Sequence, residues 1–319
     1  MSKPENKLFI FLKKYAPVLS WVFLFVIALF FLQYLRKNGR EALSLFKTIS
    51  LTYIFLLILS AVFFRLIMGY NFKILMRFFN IKLKFSEWFG LTTVATMTNY
   101  LLPAKAGTAA QAVYLKNKYK LGFTQFASSQ AGLIVLAFLI SSIAGALLEL
   151  IFRSGQAYWS FFFLFFTLVT AIMLLPVLFM KFLHKLPLKW DILKKIIEGL
   201  NNFKDKPHLV KKFVFSQLLA LITIGLRMYF AFSCLGINID IVSCIIISII
   251  SSFAIFLSLT PANMGIRELL ITASAASFGV TPALSLAAAL VDRTIDLIIS
   301  FVLGGFFIHR FSRERKYES

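Results

Sequence analysis

Five charged residues near the end of an otherwise apolar chain have the types and spacing for chemistry: Arg267, Glu268, Asp292, Arg293 and Asp296. Asp292 and Asp296 are four apart, so on a helix they share a face, and Arg293 points about 100° away on the same side. A guanidinium is a planar fork that matches phosphate. Arg267 and Glu268 follow a break between Pro261 and Gly265, and a helix starting there offers unpaired N–H groups to an anion. Two readings stand side by side. In one, these residues line a polar groove for an anionic headgroup. Arg267 and Arg293 hold phosphate, and Glu268, Asp292 and Asp296 hold a cationic headgroup or the arginines. In the other, they are salt bridges that fasten one segment to the next. Under either reading, Arg267 or Arg293 is expected to pair with Asp292 or Asp296, leaving the other arginine free.

The first half offers a milder set. Lys105 lies inside an earlier break, Pro103 to Gly107, and is the cation expected there. Gln111 is the substrate-binding candidate beside it, with Asn99, Thr108, Gln130 and Arg65 as further polar groups. Arg227 falls in an apolar run, ten residues after Gln217, at a depth that calls for a partner within the bundle. Other chemistry is absent from the pattern. His184, His208 and His309 are scattered, so no metal site is expected. Cys234 and Cys244 form no CxxC and read as small buried hydrophobes. No Gly-rich phosphate loop or nucleophile elbow occurs, and no cofactor is called for.

What must position these residues is a set of membrane helices. Of 319 residues, 60% are hydrophobic, 15% charged and 38 are Phe. A soluble domain of this length carries nearer 45–50% apolar and about 25% charged residues. The surplus must face lipid. The formal net charge is +21, but the basic residues sit in short stretches between apolar runs. That is the positive-inside pattern of cytoplasmic loops, attracted to an anionic leaflet, and it argues against nucleic acid.

About 20 apolar residues cross a bilayer. Six segments qualify: 17–35, 48–70, 125–149, 157–182, 213–235 and 282–309. The first reads as a retained span rather than a signal peptide, since no small-residue cleavage site follows it. Two more apolar segments, 87–120 and 241–280, are broken at Pro103–Gly107 and Pro261–Gly265. Between the halves lies a basic linker, 183–212. There Trp190, Leu193, Ile197 and Leu200 share one helical face, which suggests an interfacial amphipathic helix. Placing the 71–87 loop, this linker and the basic tail in the cytoplasm, with 150–156 and 236–240 outside, makes both broken segments re-entrant. They enter from opposite faces. The 36–47 link (Arg36, Lys37, Arg40, Lys47) violates the charge rule. Irregular backbone at membrane depth is tolerated only against protein or a wet cavity.

The two breaks repeat each other. Leu102-Pro103-Ala104-Lys105-Ala106-Gly107 parallels Thr260-Pro261-Ala262-Asn263-Met264-Gly265, and Gly122-Phe123-Thr124 parallels Gly279-Val280-Thr281. Each is followed by a full span. With opposite entry sides this is an inverted repeat, a transporter design that binds substrate near the midplane. The expected fold is an all-α polytopic membrane protein, a single transmembrane domain of six spans and two re-entrant hairpins.

These residues resemble a known family. The segment from Leu259 to Glu268 is similar to its hallmark Pro-Gly-Gly-x-Gly-x-x-Glu hairpin, and Phe278-Gly279-Val280 and Asp292-Arg293-x-x-Asp296 also match. The family is the flippase-like transmembrane domain of lysylphosphatidylglycerol synthases, which also occurs as stand-alone membrane proteins. The resemblance covers roughly 45–310. It implies translocation between leaflets of phospholipids with modified headgroups, aminoacylated or polyprenyl-linked; the expected location is the inner (cytoplasmic) cell membrane, and the basic loops and tail set both termini on the cytoplasmic side. Ala262 and Asn263 replace the paired glycines, and Val135 and Leu136 stand where the second half has Asp292 and Arg293. The soluble lysyl-transfer domain is absent, so a transporter rather than an enzyme is expected. A membrane subunit or scaffold of a lipid-modifying transferase is the alternative. A homo-oligomer or a partner synthase would be its protein partner.

Overall fold

The computed structural model describes residues 49–102, 106–155, 159–178, 191–257 and 260–318, and these are all helix and connecting turn. The chain builds α1 (Leu51–Phe78), α2 (Phe85–Leu101), α3 (Ala106–Tyr119), α4 (Phe123–Phe152) and α5 (Trp159–Leu178). It continues through α6 (Asp191–Lys204), α7 (Pro207–Ser233), α8 (Ile241–Ser252), α9 (Ile266–Ala276) and α10 (Pro282–Glu318).

Four of these are long and apolar enough to cross a membrane: α1, α4, α5 and α7. Their side chains show why. Leu51, Phe55, Phe161, Leu164, Leu168 and Phe215 are each more than 60% exposed, and a helix apolar on its outer face needs a lipid solvent. The expected span 17–35 lies outside the described residues, as does the 36–47 link. The expected span 282–309 falls within α10, which is 37 residues long and carries Asp292, Arg293 and Asp296.

Each broken segment is a helix, a break and a second helix. In the first, α2 gives way at Leu102 and α3 starts at Ala106. Asn99 Oδ1 accepts the Gly107 N–H at 2.8 Å and ties the two arms together. Gly107 lies against the Ala95 carbonyl, so close that a Cβ there would stand 1.9 Å from its oxygen. In the second, Ser251 and Ser252 turn their hydroxyls back onto the Ser248 carbonyl, at 3.0 and 2.8 Å. The helix then tightens into a 3₁₀ stretch, Phe253–Leu257. A short turn, Pro261–Asn263, precedes α9. That turn packs against α2, the helix that precedes the first break.

The start of the second broken segment is pinned by charge. Asp240 caps α8 by accepting the Ser243 N–H at 3.0 Å, and Arg153 at the end of α4 pairs with it. Burial pushes the Asp240 carboxyl up, but Arg153 and the Ser243 donors outweigh it and hold it below its ordinary range. At the opposite end, α6 packs its Ile197, Leu200 and Phe203 inward and leaves Lys194 and Lys195 exposed. Its Gly199 sits against Ser128 of α4. Trp190 lies outside the described residues, and α7 begins at Pro207, six residues before the expected span, because proline suits a first helical turn.

Gly107→Ala is expected to cost about 1–3 kcal/mol through overpacking. Gly305→Ala, with open space around its Cβ, should hold or raise stability. Thermal unfolding of both variants in detergent decides this.

Candidate functional site

Beside the contact of that turn with α2, charges from four helices converge. Asp292 on α10 is fully buried. Its Oδ1 accepts Arg227 Nε at 3.0 Å and Nη2 at 2.8 Å from α7, and its Oδ2 accepts Arg267 Nη2 at 2.9 Å from α9. One turn later, Asp296 Oδ2 accepts Arg65 Nη2 at 2.5 Å from α1 and the Tyr100 hydroxyl at 2.7 Å from α2. Arg227 Nη1 stands 3.2 Å from Asp296 Oδ1, which bridges the two carboxylates. Arg65 is fixed further by donating to Thr96 at 3.0 Å and Ser300 at 2.9 Å.

Arg293 faces the other way. Its Nη2 donates to the Ala262 carbonyl at 3.0 Å, its Nη1 reaches the Tyr100 oxygen at 3.4 Å, and its Nε lies 2.9 Å from Glu268 Oε1. That last approach is a close charge contact without hydrogen-bond alignment, since both atoms still lack an aligned partner. Glu268 uses its other oxygen to accept the Gly265 N–H at 2.7 Å, capping α9. Neither Arg267 nor Arg293 is left without a carboxylate, which corrects the expectation that one of them stays free. The pairing runs Arg267 to Asp292 and Arg293 to Glu268, because α9 packs against α10 and each pair crosses between the two helices.

The network holds Arg65, Arg227, Arg267 and Arg293 against Glu268, Asp292 and Asp296. With all groups ionised it carries one surplus positive charge. It borders a cavity of about 530 Å³, lined by all four arginines and Asp296, with Asn99, Thr108, Gln111, Gln130 and Gln217 on the facing walls. Glu268 and Asp292 do not line it; they hold the guanidinium groups from behind. Gln111 donates to the Leu91 carbonyl at 3.1 Å and presents its remaining amide capacity to the space. A second cavity of about 740 Å³ adjoins the first, sharing Asn99, Thr108, Gln130 and Asn263. Its other walls are largely apolar: Leu102, Ala112, Val113, Phe123, Phe126 and Ile134 from α3, α4 and the break.

The hairpin tip is conformationally demanding. Ala262 and Asn263 both sit in the left-handed region, with φ of 47° and 57°. Asn tolerates this; Ala carries a steric cost of roughly 1–2 kcal/mol. The backbone therefore keeps the shape a glycine pair would give, and Ala262 aims its carbonyl at Arg293.

Of the candidates, Gln111, Arg267, Arg293 and Asp296 come together at the cavity, with Glu268 and Asp292 directly behind. Gly107 and Gly265 lie at the two breaks. Pro103 and Lys105 lie outside the described residues. Sequence reasoning underweighted Arg65 and Arg227, although each is a lone charge in an apolar run. It missed Tyr100, which was legible only as a polar aromatic beside the first break. Thr96 and Ser300 carried no signal, since such hydroxyls commonly bond back to their own helix. Among the described residues no cluster of His, Cys, Asp and Glu could hold a metal ion.

The family model described as lysylphosphatidylglycerol synthase TM region matches residues 18–304, and the chain belongs to that family. Neither a curated protein nor a solved structure matches the chain.

Two changes test the site's construction. Asp292→Ala leaves Arg227 and Arg267 short of a buried counter-charge and should cost about 3–5 kcal/mol. Thr294→Ala, exposed two residues on, should stay within about 0.5 kcal/mol. Ala262→Gly relieves the left-handed strain and should raise the unfolding midpoint, by roughly 1 kcal/mol after glycine's greater entropy loss is subtracted.

Proposed function

We propose that this member of the lysylphosphatidylglycerol synthase TM-region family binds the phosphate of a membrane phospholipid in the central cavity and carries its headgroup between leaflets. The observation that carries this reading is the charge imbalance. Four guanidinium groups, Arg65 and Arg227 buried and Arg267 and Arg293 half-buried, face three carboxylates, and the arginines, not the carboxylates behind them, form most of the charged wall. A buried surplus cation is expensive alone and is relieved by an anion. Guanidinium is the side chain best shaped to hold phosphate bidentately. The adjoining apolar cavity gives the first part of an acyl chain a place beside its headgroup.

In this reading Arg267 and Arg293 contact phosphate, Arg65 and Arg227 keep the field positive, and Asp296 meets a cationic substituent such as an aminoacyl group. The two broken segments are re-entrant hairpins of an inverted repeat, entering from opposite faces and meeting at the midplane. The basic loops put both termini on the cytoplasmic side of the inner membrane. The α3–α4 side of the apolar cavity then opens toward the cytoplasmic leaflet. A second reading is supported by the pairing itself. Every carboxylate already has an arginine, as in a structural core, and the family is named for a synthase. The chain would then be a membrane subunit or scaffold of a lipid-modifying transferase.

Leaflet-resolved transport of phosphatidylglycerol and its lysyl derivative in liposomes separates the two. Arg293→Gln should slow transport at least about tenfold, the loss of one charge-assisted contact, while the unfolding midpoint stays above the assay temperature. Transport at the unmutated rate by a folded Arg293→Gln variant overturns the site. No transport by the unmutated protein favours the scaffold.

A further inference from the structure

A second charged concavity lies away from the central site, where the end of α1 meets the start of α7. It encloses about 340 Å³ and is rimmed by Lys73, Arg77, Lys82, Lys206, His208 and Lys212. No acidic residue lines it among the described residues. Among the described residues, none of its lysines and not Arg77 makes an ion pair with a carboxylate.

The local sequence explains the geometry. Lys73 and Arg77 are four apart on α1, and His208 and Lys212 four apart on α7, so two helical faces each present a basic pair across one gap. Lys206 is already committed: its Nζ donates to the Phe78 carbonyl at 2.9 Å, the Arg77 carbonyl at 3.3 Å and Asn80 Oδ1 at 2.7 Å. It thereby caps the negative end of α1 and pins the two helices at this separation. Lys73 is held against Trp88 and Tyr70, with its Nζ 5.6 and 5.8 Å from the ring centres. The floor is apolar, Ile74 and Leu209, both under 10% exposed. Arg77, Lys82 and Lys212 are exposed and open to a ligand.

We propose that this concavity is a binding site for a phosphate group of high charge, a phosphomonoester or pyrophosphate, presented at the membrane surface or from solution. Repulsion among the cations is maintained by packing and by the Lys206 cap, and a dianion removes it. The neighbouring α6, with its apolar face packed inward and Lys194 and Lys195 outward, sets a plane of positive charge beside the site. The site is independent of the central cavity and stands whether or not the chain transports lipid.

The test uses the full chain in phosphatidylcholine nanodiscs carrying a minority of spin-labelled phosphatidic acid. Retention of the label on the protein is compared for three proteins: unmutated, Arg77→Gln/Lys212→Gln, and Lys194→Gln/Lys195→Gln. The last removes the same charge from a nearby surface. All four side chains are exposed, so the fold is kept. The cavity pair should weaken retention about 30-fold, and the α6 pair by a few-fold at most. A parallel arm titrates soluble pyrophosphate. Displacement of the lipid shows that the phosphate is read from either source, and no displacement shows that it is read on the lipid; both uphold the site. Equal weakening by the two pairs, or unchanged retention in the cavity pair, overturns it and leaves only diffuse attraction to an anionic leaflet.

Discussion

The structure depends on one electrostatic constraint: four guanidinium groups and three carboxylates must be held together largely out of water. Taking such ions from water carries a penalty of several kcal/mol each, repaid only by close pairing and complete hydrogen bonding. Arg65, Arg227, Arg267 and Asp292 sit on four different helices far apart in sequence, so the pairs can form only when α1, α7, α9 and α10 are assembled. The two carboxylates of α10 act as a hub. Asp292 collects α7 and α9, Asp296 collects α1 and α2, and Arg227 touches both. Apolar packing alone is non-directional in lipid, where side chains and acyl tails are alike. The ion pairs supply the register that it lacks.

The arrangement divides labour between the charges. Asp292 and Glu268 stand behind the arginines and restrain them. The guanidinium groups, freed from searching for partners, face a cavity whose other walls mix neutral amides and hydroxyls with apolar side chains such as Phe64, Phe72, Leu133 and Phe213. The strained turn at Ala262 and Asn263 belongs to the same design, since it delivers a backbone carbonyl to Arg293 and brings the second break against α2. A polar cavity joined to an apolar one is the shape of an amphiphile, and neither half alone suggests a lipid so directly.

Much of this was legible in the residues. Composition dictates lipid-exposed helices, and α1, α4, α5 and α7 carry the expected long apolar runs. The breaks at Gly107 and Pro261–Gly265 were visible because proline and glycine interrupt helices for steric reasons that need no context. The charges on α10 stood out because they do not belong in lipid. The pairing was not legible. Whether Arg267 meets Asp292 or Asp296 depends on how α9 rotates against α10, a tertiary variable with no local signature. Arg65 and Tyr100 were hidden for the same reason, lying 231 and 196 residues from the carboxylate they share. The inward face of α6 followed from its 3.6-residue period, but its close seat on α4 needed Gly199 and Ser128 to be seen together.

The central claim is that the surplus positive charge of the buried network holds a lipid phosphate. An experimental map of the full chain in nanodiscs of anionic phospholipid tests it most directly. The account predicts headgroup density within hydrogen-bond distance of Arg293 and Arg267, continuous with acyl density in the adjoining apolar cavity. A cavity without headgroup density, beside lipid confined to the outer surface of the helices, would contradict it.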